Sequence, residues 1–595
     1  MEVTRVFDLL EYQSYHFPKR DALALKEYGG WTTYSTQDFI DAANRISLGL
    51  KKLGIKKDDK VAIISPNRPE WNFVDFGIQQ IGAVSVPMYP TITSEDYEYI
   101  LKDSETKIVF AGTQEIYDKV LKAVKNVPEL TPDKIYTFDK IANTQHWKIV
   151  SDLGGQENVK NLDSIKKSIT PEDLFTIIYT SGTTGTPKGV MLTHKNVVSN
   201  IKAAISSLVL GEEHIALSFL PMCHIFERTV TNAYIYKGIS IYYAENMDTI
   251  GENMKEVQPH VFTAVPRILE KVYEKILGKA RELSPVAQKM FHWALDLAQE
   301  YDTQENKGLV YNIQLSIANN LVFDKWREAL GGNVKYVICG SAALNPKLAR
   351  IFWGACIPVL EGYGMTETSP VITAGMPAKE DYCIGTVGKV VEGVQVKIAD
   401  DGEILVKGDN VMKGYYKQPE KTAETFTEDG WLKTGDIGEF IQGKYLKITD
   451  RKKEIFKTSG GKYIAPQHIE NQLKLSLFIE QAMVIGENQK YPAVLIAPME
   501  QELKNWCLEN NIVYTTLEEM VNNPQVISLY QDEINEVNHG LAQYEKLKRF
   551  MVLPSVWSIE GGELTPTLKL KRKNILTKYQ IYINHIYQEE ATLSI

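Results

Sequence analysis

Short apolar runs alternate with amphipathic stretches along the first part of the chain. Residues 61–64 predict a buried strand, 70–81 a helix, 84–88 a second strand, 94–101 a second helix and 108–111 a third strand. Strands alternating with helices of this length imply a parallel sheet with helices packed on it. The rhythm returns at 261–265, 334–339 and 358–360, so two α/β subdomains are expected before residue 380. Between them, residues 284–330 read as helical. Ser284-Pro285 makes a good N-cap and first turn, and Leu283, Val286, Met290, Ala294 and Leu297 fall at helical spacing. That stripe is expected to lie on the core rather than against a membrane. After Gly385 the texture changes to short, glycine-punctuated alternating segments such as 395–398 and 402–407, which predict a small, mostly β subdomain reaching Thr449. The charged cluster Asp450-Arg-Lys-Lys-Glu454 marks a boundary, and the remainder mixes short strands and helices. The expected fold is α/β: an N-terminal domain over 1–450, built of two α/β subdomains and a small β subdomain, then a smaller α+β domain over 451–595.

A chain of 595 residues is too long for one hydrophobic core, which agrees with several domains. Its net charge of -9 argues against a nucleic-acid partner, which would ask for a basic face. Five widely separated cysteines with no C-x-x-C pair suit neither a disulfide framework nor a zinc site, and point to reduced thiols in a cytoplasmic setting. The first residues lack the apolar core of a signal peptide. No run approaches the roughly 18 uninterrupted apolar residues of a membrane span, so any membrane contact is expected to be peripheral.

The strongest chemical signal follows the strand predicted at 174–179. It feeds into Thr180-Ser-Gly-Thr-Thr-Gly-Thr-Pro-Lys188, with Gly189 after it. Gly182, Gly185 and Gly189 let backbone N–H groups approach an anion without a Cβ in the way. Ser181, Thr183, Thr184 and Thr186 add hydroxyls, and Lys188 adds positive charge. Such a nest suits the β- and γ-phosphates of a nucleotide. A Walker loop is excluded by spelling, since Pro187-Lys188-Gly189 stands where Gly-Lys-Ser/Thr is needed. Gly362-Tyr-Gly364 opens like a dinucleotide fingerprint, but Glu367 occupies the place of its third glycine.

This loop resembles the phosphate-binding signature of the adenylate-forming superfamily, which comprises acyl-CoA synthetases, luciferases and peptide-synthetase adenylation domains. The resemblance spans residues 10–580 and continues in matching order. It implies ATP and AMP contacts at Thr180, Ser181, Gly182, Thr183, Thr184, Gly185 and Lys188, and at the adenine-contacting turn Gly340-Ser341-Ala342. In Glu361-Gly362-Tyr363-Gly364-Met-Thr366-Glu367 it implies that Tyr363 stacks on adenine, Thr366 contacts the α-phosphate and Glu367 holds Mg2+. An aromatic face for a base and a hard carboxylate for a hard cation are chemically apt. Asp436 resembles the ribose-binding aspartate and Arg451 its neighbour near ribose or phosphate. Lys453 stands at the pivot position of a mobile C-terminal domain, and Lys569 at the position of the adenylation lysine. Many relatives carry glycine just before that lysine; here Leu568 stands there. Gly460 and Gly461 fall where relatives border the pantetheine tunnel.

Residues 220–227 and 265–272 resemble the long-chain fatty acyl-CoA synthetase branch, with His224 near the acyl or phosphate site. The implied reaction is activation of a fatty acid by ATP to an acyl-adenylate, then transfer of the acyl group to CoA. Lys188, Thr366, Glu367 and Lys569 carry the chemistry, and a monomer or homodimer is implied. An acyl-AMP ligase without CoA transfer would be expected to carry an insertion near 457–462, where this chain has none.

Overall fold

The computed structural model describes residues 2–180, 187–206, 208–565 and 568–588. The chain divides into two compact units. The first comprises Met1–Lys397, Leu405–Thr434 and Phe440–Lys447; the second comprises Ile398–Ile404, Gly435–Glu439 and Ile448–Ile595.

The alternating pattern becomes the first sheet of the first unit. Strands Lys60–Ile64, Val84–Pro87, Thr106–Ala111 and Leu174–Thr180 run parallel, with Leu174–Thr180 beside Val84–Pro87. Lys188–Thr193 then returns antiparallel on Leu174–Thr180, and Gly414–Tyr415 pairs with its far edge. Local capping sets the helix starts. Thr93 and Asp96 form a capping box for the helix Ser94–Asp103, and Pro69 occupies the first turn of the helix Pro69–Gln79. The latter is buried on every side, as expected of a core helix.

The second sheet of this unit is also parallel at its centre. Its order is Leu23–Glu27, Ser240–Tyr243, Ile215–Ser218, Val261–Ala264, Tyr336–Cys339 and Val359–Gly364. Gly30–Tyr34 adds antiparallel at one end, and Val371–Ala374 at the other. The helical stretch therefore sits elsewhere than the sequence pattern placed it. It crosses between two neighbouring strands of one sheet, Val261–Ala264 and Tyr336–Cys339, rather than between two subdomains. It is also several helices: Pro285–Gln299, Leu309–Ala318, a π-turn Asn319–Phe323 and Asp324–Ala329.

The face on the core differs in part: of the expected stripe, Ala294 is buried and Leu297 packs against the core. Phe291, Ala294, Leu295 and Ala298 are buried, whereas Leu283, Val286 and Met290 are exposed, Val286 at 77%. The helix Pro285–Gln299 carries apolar residues on two faces, and periodicity alone cannot say which one meets the sheet.

In the second unit, Ile479–Ile485 pairs antiparallel with Ala493–Pro498, which runs parallel to Arg549–Val552. Helices Pro466–Leu473 and Pro524–His539 supply Ile469, Leu473, Val526 and Tyr530 to its core. The mixed α+β texture expected after residue 450 is what forms.

Candidate active site

In the first unit, the strand Leu174–Thr180 and its return Lys188–Thr193 hold Thr180 opposite Lys188. The expected phosphate-loop residues Ser181, Gly182, Thr183, Thr184 and Gly185 lie outside the described residues. The root of the loop is firmly held. The Tyr179 hydroxyl donates to Asp103 at 2.5 Å, and burial and that carboxylate push the phenol's pKa up.

Two adjacent parallel strands end beside each other, Tyr336–Cys339 and Val359–Gly364, with Cys339 opposite Glu361. Ligands of open α/β sheets gather at such carboxyl ends. Gly340, Ser341 and Ala342 follow the first strand, and Ser341 holds a left-handed φ of 72°. Gly362, Tyr363 and Gly364 end the second. Gly364 must be glycine, because a Cβ there would sit 1.7 Å from the Pro370 carbonyl oxygen. Glu361 turns its side chain inward, accepting from the Tyr382 hydroxyl at 3.1 Å and the Leu344 N–H at 3.3 Å. Burial lifts its carboxyl to about 7. Any nucleotide contact from Glu361 would thus come from its backbone. Tyr363, Thr366 and Glu367 are buried.

One residue joins these pieces that the sequence did not single out. Tyr415 donates its hydroxyl to the Glu367 carboxylate at 2.8 Å, while the Lys188 ammonium lies 5.0 Å from the centre of its ring. The surrounding segment is stapled on both sides: Met412 N–H donates to the Glu367 carbonyl, Lys413 N–H to Met191, and Tyr416 N–H to Gly189. Lys188 and Glu367, a cation and a carboxylate far apart in the chain, are thereby brought to one place.

His224 caps the helix Ile225–Lys237, its Nδ1 accepting from the Phe226 N–H at 3.2 Å, with its ring 6.4 Å from that of Tyr89. On the same helix Glu227 is fully buried and accepts from the Ser218 hydroxyl at 2.6 Å and from Thr263. Burial raises its carboxyl to about 7.

A second group of expected residues meets within the second unit. Arg451 donates from Nε to Asp436 Oδ1 at 3.1 Å. Burial is the main force lowering the Lys569 ammonium to about 8; Arg451 adds to it, and Asp436 and Glu454 oppose it. The backbone of Lys569 is fixed to Thr565, by N–H to Oγ1 at 3.0 Å and by its carbonyl from the Thr565 N–H at 2.8 Å. Leu568, standing where relatives carry glycine, adopts φ +60°. A left-handed backbone at a residue with a Cβ costs about 1–2 kcal/mol. The neighbouring Arg572 is engaged with Glu454 and Glu470, so Lys569 is the candidate beside Asp436. Lys453 is exposed. Gly460 and Gly461 form the turn between strands Phe456–Lys457 and Tyr463–Ile464, Gly461 at φ +80°.

A two-unit chain with these loops at the ends of parallel strands, followed by a small α+β unit bearing a lysine beside an aspartate, has the architecture of an adenylate-forming enzyme. The chain belongs to the AMP-binding enzyme family: that family's model matches residues 10–416, and the model of the AMP-binding enzyme C-terminal domain matches 453–591. A long-chain-fatty-acid–CoA ligase of Mycobacterium tuberculosis is 33% identical over 573 residues, covering 94% of this chain and 93% of that protein. Long-chain-fatty-acid–CoA ligase 1 of Homo sapiens is 32% identical over 587 residues, covering 94% and 82%. Among solved structures, an anthranilate CoA ligase in complex with anthranoyl-AMP superposes with a TM-score of 0.73 at 18% identity, covering 98% of this chain and all of that one. The A-PCP didomain of a carboxylic acid reductase from Segniliparus rugosus, in complex with AMP, gives 0.75 at 19%, covering 100% and 83%. At these identities the structures speak for the fold.

Proposed function

We propose that this protein is a long-chain fatty acid–CoA ligase. The observation that carries the reading is the Lys188–Tyr415–Glu367 constellation at the strand ends, in a chain similar over nearly its whole length to enzymes named for that reaction. In the first half-reaction a carboxylate oxygen of the fatty acid attacks the α-phosphorus of ATP, the bond to the β-phosphate oxygen breaks, and pyrophosphate leaves. No general base is needed, because the acid is ionised near pH 7. Thr180–Gly185 and Lys188 receive the polyphosphate, Gly340–Ala342 and Glu361–Gly364 receive adenine, Thr366 meets the α-phosphate, and Asp436 with Arg451 meets ribose. Lys188 and Lys569 stabilise charge gathering on the transferred and leaving oxygens.

Glu367 fits a Mg2+ ligand: it is a single buried carboxylate whose Oε1 is oriented by the Tyr415 hydroxyl. Mg2+ prefers one or two carboxylates together with water and substrate phosphates. Among the described residues no cluster of three or more acidic, His or Cys side chains offers a self-sufficient metal cage. When bound, the ion would supply Lewis-acid stabilisation of the phosphate oxygens.

In the second half-reaction the CoA sulfur attacks the acyl carbonyl, the bond from that carbon to the phosphate oxygen of AMP breaks, and AMP leaves while the thiol proton passes to solvent. The domain after residue 450 turns about Lys453, withdrawing Lys569 and presenting Gly460 and Gly461 to the pantetheine arm. His224 and the helix behind it border the acyl site. The test is CoA-dependent AMP release across carboxylic acids from acetate to arachidate, beside ATP–pyrophosphate exchange. Both are expected to need an added acid, with long chains preferred. Reaction with only short or aromatic acids would remove the long-chain assignment, and no exchange with any acid would remove adenylation itself.

Peripheral membrane contact is part of the same reading. Among the described residues no helix is long and apolar enough to cross a membrane. The helix Leu309–Ala318 nonetheless exposes Leu309, Val310 and Ile313 by 76%, 71% and 53%. The protein is expected to float with phospholipid vesicles, and Leu309→Ser with Ile313→Ser to lower that fraction; equal flotation of the variant would refute this surface as the contact.

A further inference from the structure

The segment around Lys453 is tied on its two sides by different ion pairs, all within the second compact unit. On the N-terminal side, the Lys452 ammonium donates to Asp401 Oδ2 at 2.6 Å and to Glu403 Oε2 at 2.7 Å. Its N–H donates to the Gly435 carbonyl at 2.9 Å, and the other oxygen of Glu403 accepts from the Gly435 N–H at 2.9 Å. With Arg451 on Asp436, residues 451 and 452 are stitched to 435 and 436. On the C-terminal side, Arg572 donates from Nε to Glu454 at 3.1 Å and from Nη2 to Glu470 at 2.6 Å. Glu470 also accepts from the Val484 N–H at 2.7 Å. Glu454 is therefore fastened to the same body that carries Lys569, three residues before Arg572. Only Lys453 stands between the two fastenings. Across it run two backbone bonds, from Glu454 N–H and Ile455 N–H to the Arg451 carbonyl, at 2.9 and 3.1 Å.

We infer that Lys452 and Arg572 are positioning residues for the turning of the C-terminal domain, Arg572 as a permanent clamp that keeps Glu454 with Lys569, and Lys452 as a latch whose release lets the segment around Lys453 turn. The inference rests on the domain rotation proposed above. The two fastenings differ in burial. Lys452 leaves 45% of its side chain exposed, with Asp401 at 54% and Glu403 at 8%, so water can take over the ammonium while Glu403 keeps the Gly435 N–H. Arg572 and Glu470 leave 18% and 6%, so parting them strands a buried charge. The clamp thus keeps Glu454 moving with Lys569. The latch holds the arrangement in which Asp436, Arg451 and Lys569 interact, and it must open for the second half-reaction.

The test uses the full-length enzyme and separates the half-reactions: palmitate-dependent ATP–pyrophosphate exchange, and single-turnover transfer from synthetic palmitoyl-AMP to CoA. Lys452→Met is expected to slow exchange about threefold to fivefold, the size of a lost exposed pair, while transfer stays unchanged or quickens. Lys452→Arg, which keeps the charge, is expected to recover exchange. Glu454→Gln, which frees the other flank, is expected to slow both steps. Equal losses in both steps for Lys452→Met, no loss in either, or an unaffected Glu454→Gln would overturn the inference. A wild-type enzyme inactive in both steps would instead strike the proposed function, and the inference with it.

Discussion

Lys569→Ala is expected to lower fatty-acid-dependent ATP–pyrophosphate exchange by about 10²–10³-fold, the usual cost of removing one preorganised stabiliser of transition-state charge. Transfer from preformed acyl-adenylate to CoA is expected to stay within the same order of magnitude. The side chain is well placed for such a split: its backbone is pinned to Thr565, and its ammonium interacts with Asp436 and Glu454 on one hand and with Arg451 on the other.

The pH dependence gives an independent signature. Burial lowers the ammonium to about 8, and the protonated form is the one that can meet developing negative charge. Adenylation is therefore at its plateau below that value and declines as pH rises through it. The profile should be read in kcat/KM, which reports the free enzyme. Lys569→Arg keeps its charge at every accessible pH; whatever activity it retains should lose this alkaline limb. If Lys569→Ala slows transfer as much as exchange, or if its residual exchange keeps the wild-type alkaline limb, the role is wrong.

Much of this candidate site could be proposed from the chain because its residues sit at punctuated places. The strands expected at 61–64, 84–88 and 108–111 form as Lys60–Ile64, Val84–Pro87 and Thr106–Ala111, since continuous apolar runs of that length have few other fates. The first edge of the second sheet was not legible. Gly30–Tyr34 is largely exposed and Leu23–Glu27 is buried only over its first two residues, so neither shows the run of a buried strand. The exposed stripe Leu283, Val286 and Met290 obeys helical spacing as well as the buried one does.

Within the site, the individual members could be named from their motifs, but not what joins them. Tyr415 lies 48 residues from Glu367, and only the pairing of Gly414–Tyr415 with Lys188–Thr193 brings it there. The tyrosine pair after Lys413-Gly414 was the available signal, and alone it reads as an edge strand. Leu568 teaches a related lesson. Leu568 stands where many relatives carry glycine, yet its own backbone takes a left-handed φ of 60°, between the bonds that join Thr565 to Lys569.

Arg228→Ala is expected to destabilise the first compact unit by about 3–5 kcal/mol, the range for removing one partner of a buried ion pair. The guanidinium is fully buried and pairs with Asp75 through Nε and Nη2. It also donates to the Thr176 hydroxyl at 2.9 Å and the Ser85 hydroxyl at 2.6 Å, and lies 4.0 Å from the centre of the Phe175 ring. One side chain thus ties the helices Pro69–Gln79 and Ile225–Lys237 to the strand that leads into the phosphate loop.

Burial pushes the Asp75 carboxyl above its ordinary range, and Arg228 is the principal force opposing that rise. Without Arg228 the carboxyl climbs further and the folded state takes up a proton. A carboxyl whose folded value exceeds its unfolded one favours folding at low pH and loses that advantage as pH rises through the folded value. The destabilisation of Arg228→Ala is therefore expected to shrink between pH 7 and pH 5, measured by chemical denaturation. Arg228→Met combined with Asp75→Leu removes both charges together and is expected to be far milder than either change alone, because neither leaves an unpaired charge behind. Additive losses in the double variant, or a cost of Arg228→Ala that does not change with pH, would mean that the pair matters for its volume and not for its charge.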